Sequence, residues 1–383
     1  MSTSTCQAGI PDDLRTIGVL KFELLASGLR VSDEAARYLE GAKRPTRTRS
    51  GASGGLDIVL PGNVHVNAPV DEEFASQSPL VLDPISDGLV IKRGDETLAP
   101  VTLQSVPRYY SLRTSDGTPL VRIGQMCSGD RFCYGMTGPY CSFWTHGRRC
   151  KFCSIALNKD KDASDKAVGQ MLEALSEAVN DPALPAKHVL IGGGTPGGED
   201  MGAILASELC RAIKSRFDLS CYVMICAPLK NEYIAMLRDA GADELGMNIE
   251  FYSETAWEEM IPGKHRYIGK KRYLEALEYA VSVFGPVNTR SLMIVGLEDP
   301  EYTIEGAKKL ASMGVMPILS PFRPLGGTDL EGQRGFDHLA YWDIYVEIHQ
   351  CASKHGIPTG PICIPCQNNA LALPLPGNMY RFY

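Results

Sequence analysis

The sequence lacks a long hydrophobic run. None of its apolar stretches approaches the roughly 18 residues that a helix needs to cross a bilayer, so no membrane partner is expected. The first residues, MSTSTCQAGIPDDL, also lack a basic segment followed by an apolar one, which argues against a secretory signal. Together these two absences predict a cytoplasmic protein.

An excess of positive charge is missing as well. The formal net charge is −7 over 383 residues, and nucleic-acid binding ordinarily needs a basic surface, so no nucleic-acid partner is expected. No segment repeats along the chain, and no tract has low complexity. With 44% hydrophobic and 22% charged residues, the composition is that of a folded globular protein. The length favours one large α/β barrel with extensions, or two domains.

Residues 1–120 predict an N-terminal accessory region of helix and short antiparallel strands. Residues 17–42 have helical spacing of apolar positions, with Ser32 as the N-cap of a second helix. Between 56 and 125, short runs such as LDIVL, GLVIKRG, RYYSLRT and PLVRIGQM alternate apolar and polar residues and are separated by turn signals. These runs predict strands.

Residues 121–335 alternate regularly between helical and strand patterns. Short connections between such elements imply a parallel sheet, which right-handed crossovers close toward a barrel. About six strands are expected, hence a partial (β/α)6 TIM-type barrel. Its chemistry should lie at the carboxyl ends of the strands, where GGGTPGG, Glu250, GLED and FRPLGG would face one cavity. Residues 336–383 predict a helix and a cysteine-bearing tail.

The twelve cysteines are distributed unevenly. Clustered thiols in a reducing compartment more often bind metal than form disulfides. Cys141, Cys150 and Cys153 form a group of three, with His146 inside it. A zinc ion would need His146 as a fourth ligand, whereas three cysteines on a [4Fe–4S] cluster leave one iron open for a small molecule. We favour the cluster, with His146 not bound to metal.

This triad resembles the cysteine motif of the radical S-adenosylmethionine (SAM) superfamily, CxxxCxxC with an aromatic residue before the last cysteine. Here the aromatic residue is Phe152, and the first gap has eight residues instead of three. The segments VLIGGGTPGGED, LGMNIEF, MIVGLED and SPFRPLGGTDL also resemble family segments, the last being similar to biotin-synthase-like members. The residues that the resemblance places around SAM are Phe152, Gly192, Gly193, Gly194, Thr195, Asn248, Glu250, Ile294, Val295 and Gly296.

The resemblance implies an enzyme whose reduced [4Fe–4S] cluster cleaves SAM to a 5′-deoxyadenosyl radical. That radical would abstract hydrogen from a small-molecule substrate, with electrons from a donor such as flavodoxin or ferredoxin. The overall plan also resembles a bacterial radical SAM family of unassigned reaction. A non-catalytic zinc or Fe–S binding protein is the alternative from another class.

A second Fe–S cluster is expected from the remaining grouped cysteines. Cys127 and Cys133 precede the triad, and Cys363 and Cys366 form a CxxC near the other end of the chain. Free thiols and a zinc site are the alternatives for these four. In the biotin- and lipoyl-synthase-like branch that the sequence resembles, a second cluster donates sulfur. The resemblance thus implies sulfur insertion, with a radical lyase, rearrangement or dehydrogenation as the alternative.

Two arginines are candidates for substrate contact, Arg290 and Arg323, because a guanidinium recognises a carboxylate with a planar fork. His188, at the start of a predicted strand, is interpreted as a structural histidine. The aromatic segment 378–383 is a candidate plug for the cavity.

Overall fold

The computed structural model describes residues 10–41, 48–50, 53–127, 129–145, 147–158, 162–164 and 166–376. The predictions for His146 and for segment 378–383 fall outside these residues. Among the described helices, none is both long and apolar enough to cross a membrane.

The N-terminal region is built from two helices and a seven-stranded sheet. The predicted N-cap is confirmed, because the Ser32 hydroxyl accepts a hydrogen bond from the backbone N–H of Ala35 at 3.1 Å. The sheet is antiparallel apart from the parallel pair β1–β5. The elements are α1 Asp12–Ser27, β1 Arg30–Val31, α2 Asp33–Gly41, β2 Thr48–Ser50, β3 Ser53–Leu60, β4 Val64–Ala68, β5 Leu80–Ile85, β6 Gly88–Arg93 and β7 Glu96–Leu103.

Two of the predicted strands are wrong. The run RYYSLRT forms a 3-10 turn at Arg108–Ser111, in which the Tyr109 hydroxyl donates to the Gly124 carbonyl. The run PLVRIGQM divides into the short helix α3 Leu120–Ile123 and the strand β8 Gln125–Met126. In both cases alternation of apolar residues reflects packing of a turn against the barrel rather than a pleated strand. The boundary near residue 120 stays a prediction.

The second sheet confirms the partial barrel. It contains six parallel strands in sequential order, β9 to β14, with β8 antiparallel at one edge. Helices connect the strands, so the sheet is covered on its outer face, and every residue of β10 is buried. The strands are β9 Arg131–Gly135, β10 His188–Gly192, β11 Ser220–Met224, β12 Glu244–Gly246, β13 Thr289–Val295 and β14 Met316–Pro321. The helices are α4 Val168–Val179, α5 Ala203–Lys214, α6 Glu232–Asp239, α7 Glu254–Met260, α8 Pro262–Tyr267, α9 Lys270–Phe284, α10 Pro300–Ser312 and α11 His338–Lys354.

The segment after α11 runs along the last strand of the barrel. The N–H of Gly360 donates to the carbonyl of Pro317 at 3.0 Å, and the N–H of Leu371 donates to that of Leu319 at 2.8 Å. These bonds satisfy the open edge of β14. The predicted C-terminal tail therefore packs on the barrel.

A buried lysine of the N-terminal region holds the same tail. Lys21 on α1 is fully buried, and its ammonium group donates to the carbonyls of Gln367 and Ala372 at 2.7 and 2.6 Å. The N–H of Asn67 on β4 also donates to the carbonyl of Asn368 at 2.8 Å. The CxxC segment is thus fixed between the barrel and the N-terminal region.

Candidate functional site

A cavity of about 330 Å³ occupies the barrel interior and reaches the carboxyl ends of the strands. Its wall contains residues from the triad segment, from β10, from β13 and from the segment after β14. This is where a TIM-type barrel places its chemistry. The predicted site residues that line it are Cys127, Cys133, Phe152, Cys153, Gly192, Gly193, Asn248, Glu250, Ile294 and Arg323.

The triad lies at the mouth of this cavity. Cys150 and Cys153 belong to one tight turn, in which the N–H of Cys153 donates to the carbonyl of Cys150 at 3.1 Å. Cys141 packs against the glycine segment so closely that a Cβ on Gly194 would lie 2.6 Å from the Cβ of Cys141. Phe152 packs edge-on against Phe251, with ring centroids 5.9 Å apart. The eight-residue gap therefore places Cys141 beside the glycine segment, while Cys150 and Cys153 share one turn.

Burial raises the pKa of two of the triad thiols, Cys150 and Cys153. Burial raises the pKa of Cys153 to about 11, and the thiol of Cys141 adds to that rise. Burial also raises the pKa of Cys150 well above its usual range, although the nearby Lys264 opposes the shift. Thiols in this state are protonated at neutral pH, and a bound metal centre would displace those protons. Two thiols with that property in one turn, with Cys141 near them, fit an iron–sulfur cluster.

A buried ion pair stands next to the triad. The Lys264 ammonium donates to the Glu250 carboxylate at 2.8 Å and to the carbonyl of Asn248 at 3.1 Å. Burial alone would lower the pKa of Lys264, but the carboxylate raises it well above its usual range. Glu250 has a left-handed backbone conformation with φ of 65°. The backbone is thus held in a strained conformation at the cavity wall.

Asn248 and Glu250 both lie on the cavity wall, as predicted, but the backbone that carries them is irregular. Strand β12 ends at Gly246, before either residue. The side-chain carbonyl of Asn248 accepts from the N–H of Leu292 at 3.2 Å, while the N–H of Glu250 donates to the carbonyl of Leu292 at 2.9 Å. The side chain of Asn248 and the backbone of Glu250 are therefore fixed by β13 rather than by strand alternation.

Part of the glycine segment after β10 lines the cavity, and the rest packs within its own loop. Gly192 and Gly193 line the cavity, and Gly193 has a φ of 133°, which glycine alone adopts readily. Thr195 does not line it. Its hydroxyl instead accepts from the N–H of Gly197 at 3.2 Å, and the residue is buried within the loop.

Ile294, Val295 and Gly296, three of the residues predicted around SAM, have different positions at the end of β13. Ile294 lines the cavity. Val295 points to the opposite face of the strand and is fully buried, and its carbonyl accepts from the N–H of Phe322 at 2.8 Å. A Cβ on Gly296 would lie 2.6 Å from the hydroxyl of Tyr341. Only Ile294 of the three therefore has its side chain at the cavity.

The two predicted substrate arginines are separated. Arg323 lines the cavity and donates to the carbonyl of Asn67 at 3.2 Å. Burial lowers its pKa to about 10, which leaves the guanidinium charged at neutral pH. Arg290 is buried outside the cavity lining, where it forms an ion pair with Glu244 and lies over the ring of Tyr222 at 4.7 Å. Its position does not support the predicted substrate contact.

Two of the four cysteines expected to hold a second cluster, Cys363 and Cys366, lie at the amino ends of the strands. Cys363 and Cys366 lie 3.8 and 3.5 Å from Nε2 of His188, at the start of β10. The carboxylate of Asp130, just before β9, lies 3.3 Å from the same nitrogen. The nearest partners of the CxxC thiols therefore include two residues that the sequence did not indicate as ligands.

Cys127 and Cys133 lie next to this group. Burial alone would raise the pKa of Cys133, but a hydrogen bond with Cys127 and the charge of Arg131 bring it to about 6. Burial would likewise lower the pKa of Arg131, yet Cys366, Cys133, Cys127 and Cys363 raise it above its usual range. The charge of Arg131 thus interacts with all four cysteines, and the four-cysteine cluster stays a prediction.

Sequence reasoning missed Lys264, Asp130 and His188 as parts of these sites. Lys264 lies in the segment IPGKHRY, where no motif marks it. Asp130 and His188 stand at the starts of two adjacent parallel strands, which is a signal that strand order could have provided.

The chain is similar to a known family and to several known proteins. The model of the radical SAM superfamily matches residues 139–311. Over 92 residues the chain is 29% identical to bacteriochlorophyllide c C-7(1)-hydroxylase of Chlorobaculum limnaeum, a match that covers 24% of this chain and only 23% of the hydroxylase.

Among solved structures, methylornithine synthase (PylB) shares 18% identity with a TM-score of 0.46, over 71% of this chain and 85% of that one. Streptococcus suis SuiB bound to S-adenosylmethionine shares 14% identity with a TM-score of 0.44, over 61% and 49% of the two chains.

The family match covers the triad segment, the glycine segment, the Glu250 loop and most of the barrel strands. The three grouped thiols fit the [4Fe–4S] cluster of the family, and the glycine backbone beside them fits SAM. Residues 139–311 therefore form a radical SAM domain, which fits the use of SAM and a [4Fe–4S] cluster by this part of the chain.

Proposed function

We propose that the enzyme abstracts hydrogen from a small, carboxylate-bearing metabolite bound in the barrel cavity. When bound, the reduced cluster and SAM supply a 5′-deoxyadenosyl radical for that abstraction. The observation that carries the proposal is one cavity with Cys153 and Gly193 at one part of its wall and Arg323 at another. Cofactor and substrate would share an enclosure that excludes water.

The cofactor side of the cavity is assigned to the residues that the family resemblance indicates. Cys141, Cys150 and Cys153 would hold the cluster, and Gly192 and Gly193 line the same cavity as Cys153. Phe152, Asn248, Glu250 and Ile294 would surround SAM. Burial raises the pKa of Glu250, which the charge of Lys264 opposes. The hydrogen bond from the Lys264 ammonium fixes the Glu250 carboxylate, so this side chain can form hydrogen bonds with SAM without reorganising.

The substrate side is assigned to Arg323. Its guanidinium is buried and charged, lines the cavity and donates to the Asn67 carbonyl. A guanidinium can form the planar, paired hydrogen bonds that a carboxylate accepts. This placement supports a substrate that carries a carboxylate.

A basic surface next to the triad suits an acidic electron donor such as flavodoxin or ferredoxin. Arg148 and Arg266 are exposed, and their guanidinium groups lie 5.2 and 5.7 Å from the ring centroid of Tyr267. Complementary charge would steer a reductant toward the cluster loop.

Cleavage of SAM tests the proposal. Protein reconstituted anaerobically with iron and sulfide, then mixed with dithionite and SAM, should produce 5′-deoxyadenosine. The Cys150→Ala variant should lose this activity, whereas Cys351→Ala on α11, outside the cavity lining, should keep it. Equal activity of both variants would contradict the assignment of the triad. Transfer of deuterium from a labelled carboxylic acid into 5′-deoxyadenosine then identifies the substrate.

Sulfur insertion is the second candidate, favoured because Cys127 and Cys133 line the same cavity as the triad. A cluster on these residues could donate sulfur to the substrate radical. Reconstitution with isotopically labelled sulfide should then yield a labelled product, and Cys127→Ser/Cys133→Ser should still cleave SAM without forming it. Product without labelled sulfur would instead indicate a lyase, rearrangement or dehydrogenation.

A further inference from the structure

The CxxC segment near the end of the chain takes part in a second constellation, at the opposite end of the barrel from the triad. We propose that Asp130, His188, Cys363 and Cys366 bind a single divalent metal ion of the zinc type in a closed tetrahedral site. In this ligand set, the carboxylate of Asp130 and the imidazole of His188 take the places that Cys127 and Cys133 have in the predicted four-cysteine cluster.

The spacing of the donor atoms is that of one tetrahedral ion. The four donor atoms all lie within 4.8 Å of one another. Zinc ligands at about 2.0 to 2.3 Å in tetrahedral geometry are themselves separated by about 3.3 to 3.8 Å. From Nε2 of His188, the Asp130 oxygen lies 3.3 Å away, and the two sulfurs lie 3.5 and 3.8 Å away.

Three potential ligand atoms converge on one ring nitrogen. A single N–H on Nε2 can point well at only one of Asp130, Cys363 and Cys366, and in the other tautomer Nε2 can accept from a thiol S–H. Each of the four residues is thus close to a position from which it could contact one shared cation. A cation between the four donors would contact each of them directly, which accounts for the convergence.

The donor types also fit zinc. Thiolate, imidazole and carboxylate are all zinc ligands, and four protein ligands leave no position for water or substrate. All four residues are buried, with exposed fractions of 2% to 5%. A [4Fe–4S] cluster would place four protein ligands on four separate irons and so spread them further apart than one ion does. The compact arrangement therefore favours the ion.

The site would connect distant parts of the chain. Asp130 and His188 stand at the amino ends of β9 and β10, which pair in parallel through His188 and Arg131. Cys363 and Cys366 belong to the tail that Lys21 fixes from the other side. An ion here would tie the tail to the barrel base and support the wall that carries Cys133 into the cavity.

Metal analysis of a protein that lacks the SAM cluster tests this site. The full chain with Cys141, Cys150 and Cys153 all changed to alanine should retain about one zinc or iron per chain and no acid-labile sulfide. Replacement of that ion by Co²⁺ should give the visible bands of tetrahedral cobalt together with sulfur-to-cobalt charge-transfer bands. This spectrum needs no change at the proposed ligands.

Two double serine variants then identify the ligands. Both are made in the protein whose triad cysteines are changed to alanine. Cys363→Ser/Cys366→Ser should lose most of the metal and the charge-transfer bands, whereas Cys127→Ser/Cys133→Ser should keep both. Circular dichroism of each variant shows whether it remains folded. The proposal would be overturned in favour of a cluster if the cluster-free protein held iron and sulfide in equal amounts and the Cys127→Ser/Cys133→Ser variant lost both. Absence of tetrahedral cobalt from the folded protein would also overturn it.

Discussion

The two ends of the barrel hold their thiols in different ways. At the carboxyl ends of the strands, the triad is carried by loops, and its neighbours include a left-handed Glu250 and glycines with unusual dihedral angles. At the amino ends, Cys363 and Cys366 meet His188 at the start of a regular, fully buried strand. The triad thiols thus lie beside an open cavity, whereas the thiols of Cys363 and Cys366 are enclosed.

This difference corresponds to two demands on a metal site. A centre that must accept a small molecule needs an open coordination position and backbone that allows close approach, which loops and glycines provide. A centre that only connects elements needs a complete set of buried ligands. The same sheet supplies both, because its strands end in loops on one side and begin near the tail on the other.

Breaking the buried ion pair should have the largest effect, and only at the triad end. Glu250→Gln leaves the Lys264 ammonium without its carboxylate in a buried position, which typically costs about 3 to 5 kcal/mol. We expect a lower melting temperature and loss of cluster iron, measured by calorimetry and by iron and sulfide analysis. The metal of the second site should remain.

The double variant Glu250→Gln/Lys264→Met is the control for this prediction. Removing both charges should restore part of the stability, because no unpaired charge stays buried. SAM cleavage should not recover if the carboxylate contacts SAM. A double variant no more stable than Glu250→Gln would contradict the ion-pair explanation.

Lys21 should give a pH-dependent effect of intermediate size at the other end. Burial lowers its pKa from 10.5 to about 7, so between these values the unfolded chain binds more protons than the folded one. Stability relative to a Lys21→Met variant should therefore rise with pH, by about 2 kcal/mol between pH 7 and pH 9. Melting temperatures of the two proteins across this range measure the difference.

Comparison of Lys21→Met with the wild type also distinguishes effects at the two ends of the barrel. Lys21→Met should weaken metal retention at the second site, because the tail loses its bonds at Gln367 and Ala372. Its cleavage of SAM should stay near that of the wild type. A pH slope identical in the two proteins would show that Lys21 does not titrate as described.

The smallest effect is expected at the surface of the triad end. Arg149, next to Cys150, forms a partly exposed ion pair with Asp329, which lies beyond β14. Asp329→Asn should lower stability by less than about 1 kcal/mol, and less still at high salt. Thermal unfolding at low and high salt checks this. A loss as large as that of Glu250→Gln would mean that the pair fixes the triad loop.

Sequence reasoning predicted the barrel because its signals are local and repeated. Helical and strand patterns alternate from β10 to β14, and the triad motif and glycine segment mark the cofactor end. It failed for RYYSLRT, where tertiary packing overrides alternation. The proposed roles of individual cofactor residues rest on the resemblance, and Thr195 and Val295 lie away from the cavity lining.

The second site was harder to predict because its donors are far apart in sequence. Asp130 and His188 have no motif, and a histidine at a strand start is ordinarily structural. The CxxC pair did indicate metal binding, yet its partners follow only from strand order and from the path of the tail along β14. Such a set becomes visible once the fold is known.

The path of the tail also has a consequence for biosynthesis. All three triad cysteines leave the ribosome before half of the chain has been made, whereas the proposed tetrahedral site waits for Cys366. A truncated polypeptide could therefore acquire an iron–sulfur cluster, yet it would have no place for the second metal. Occupancy of that site would thus mark those molecules whose translation had passed Cys366 and whose last segment had docked.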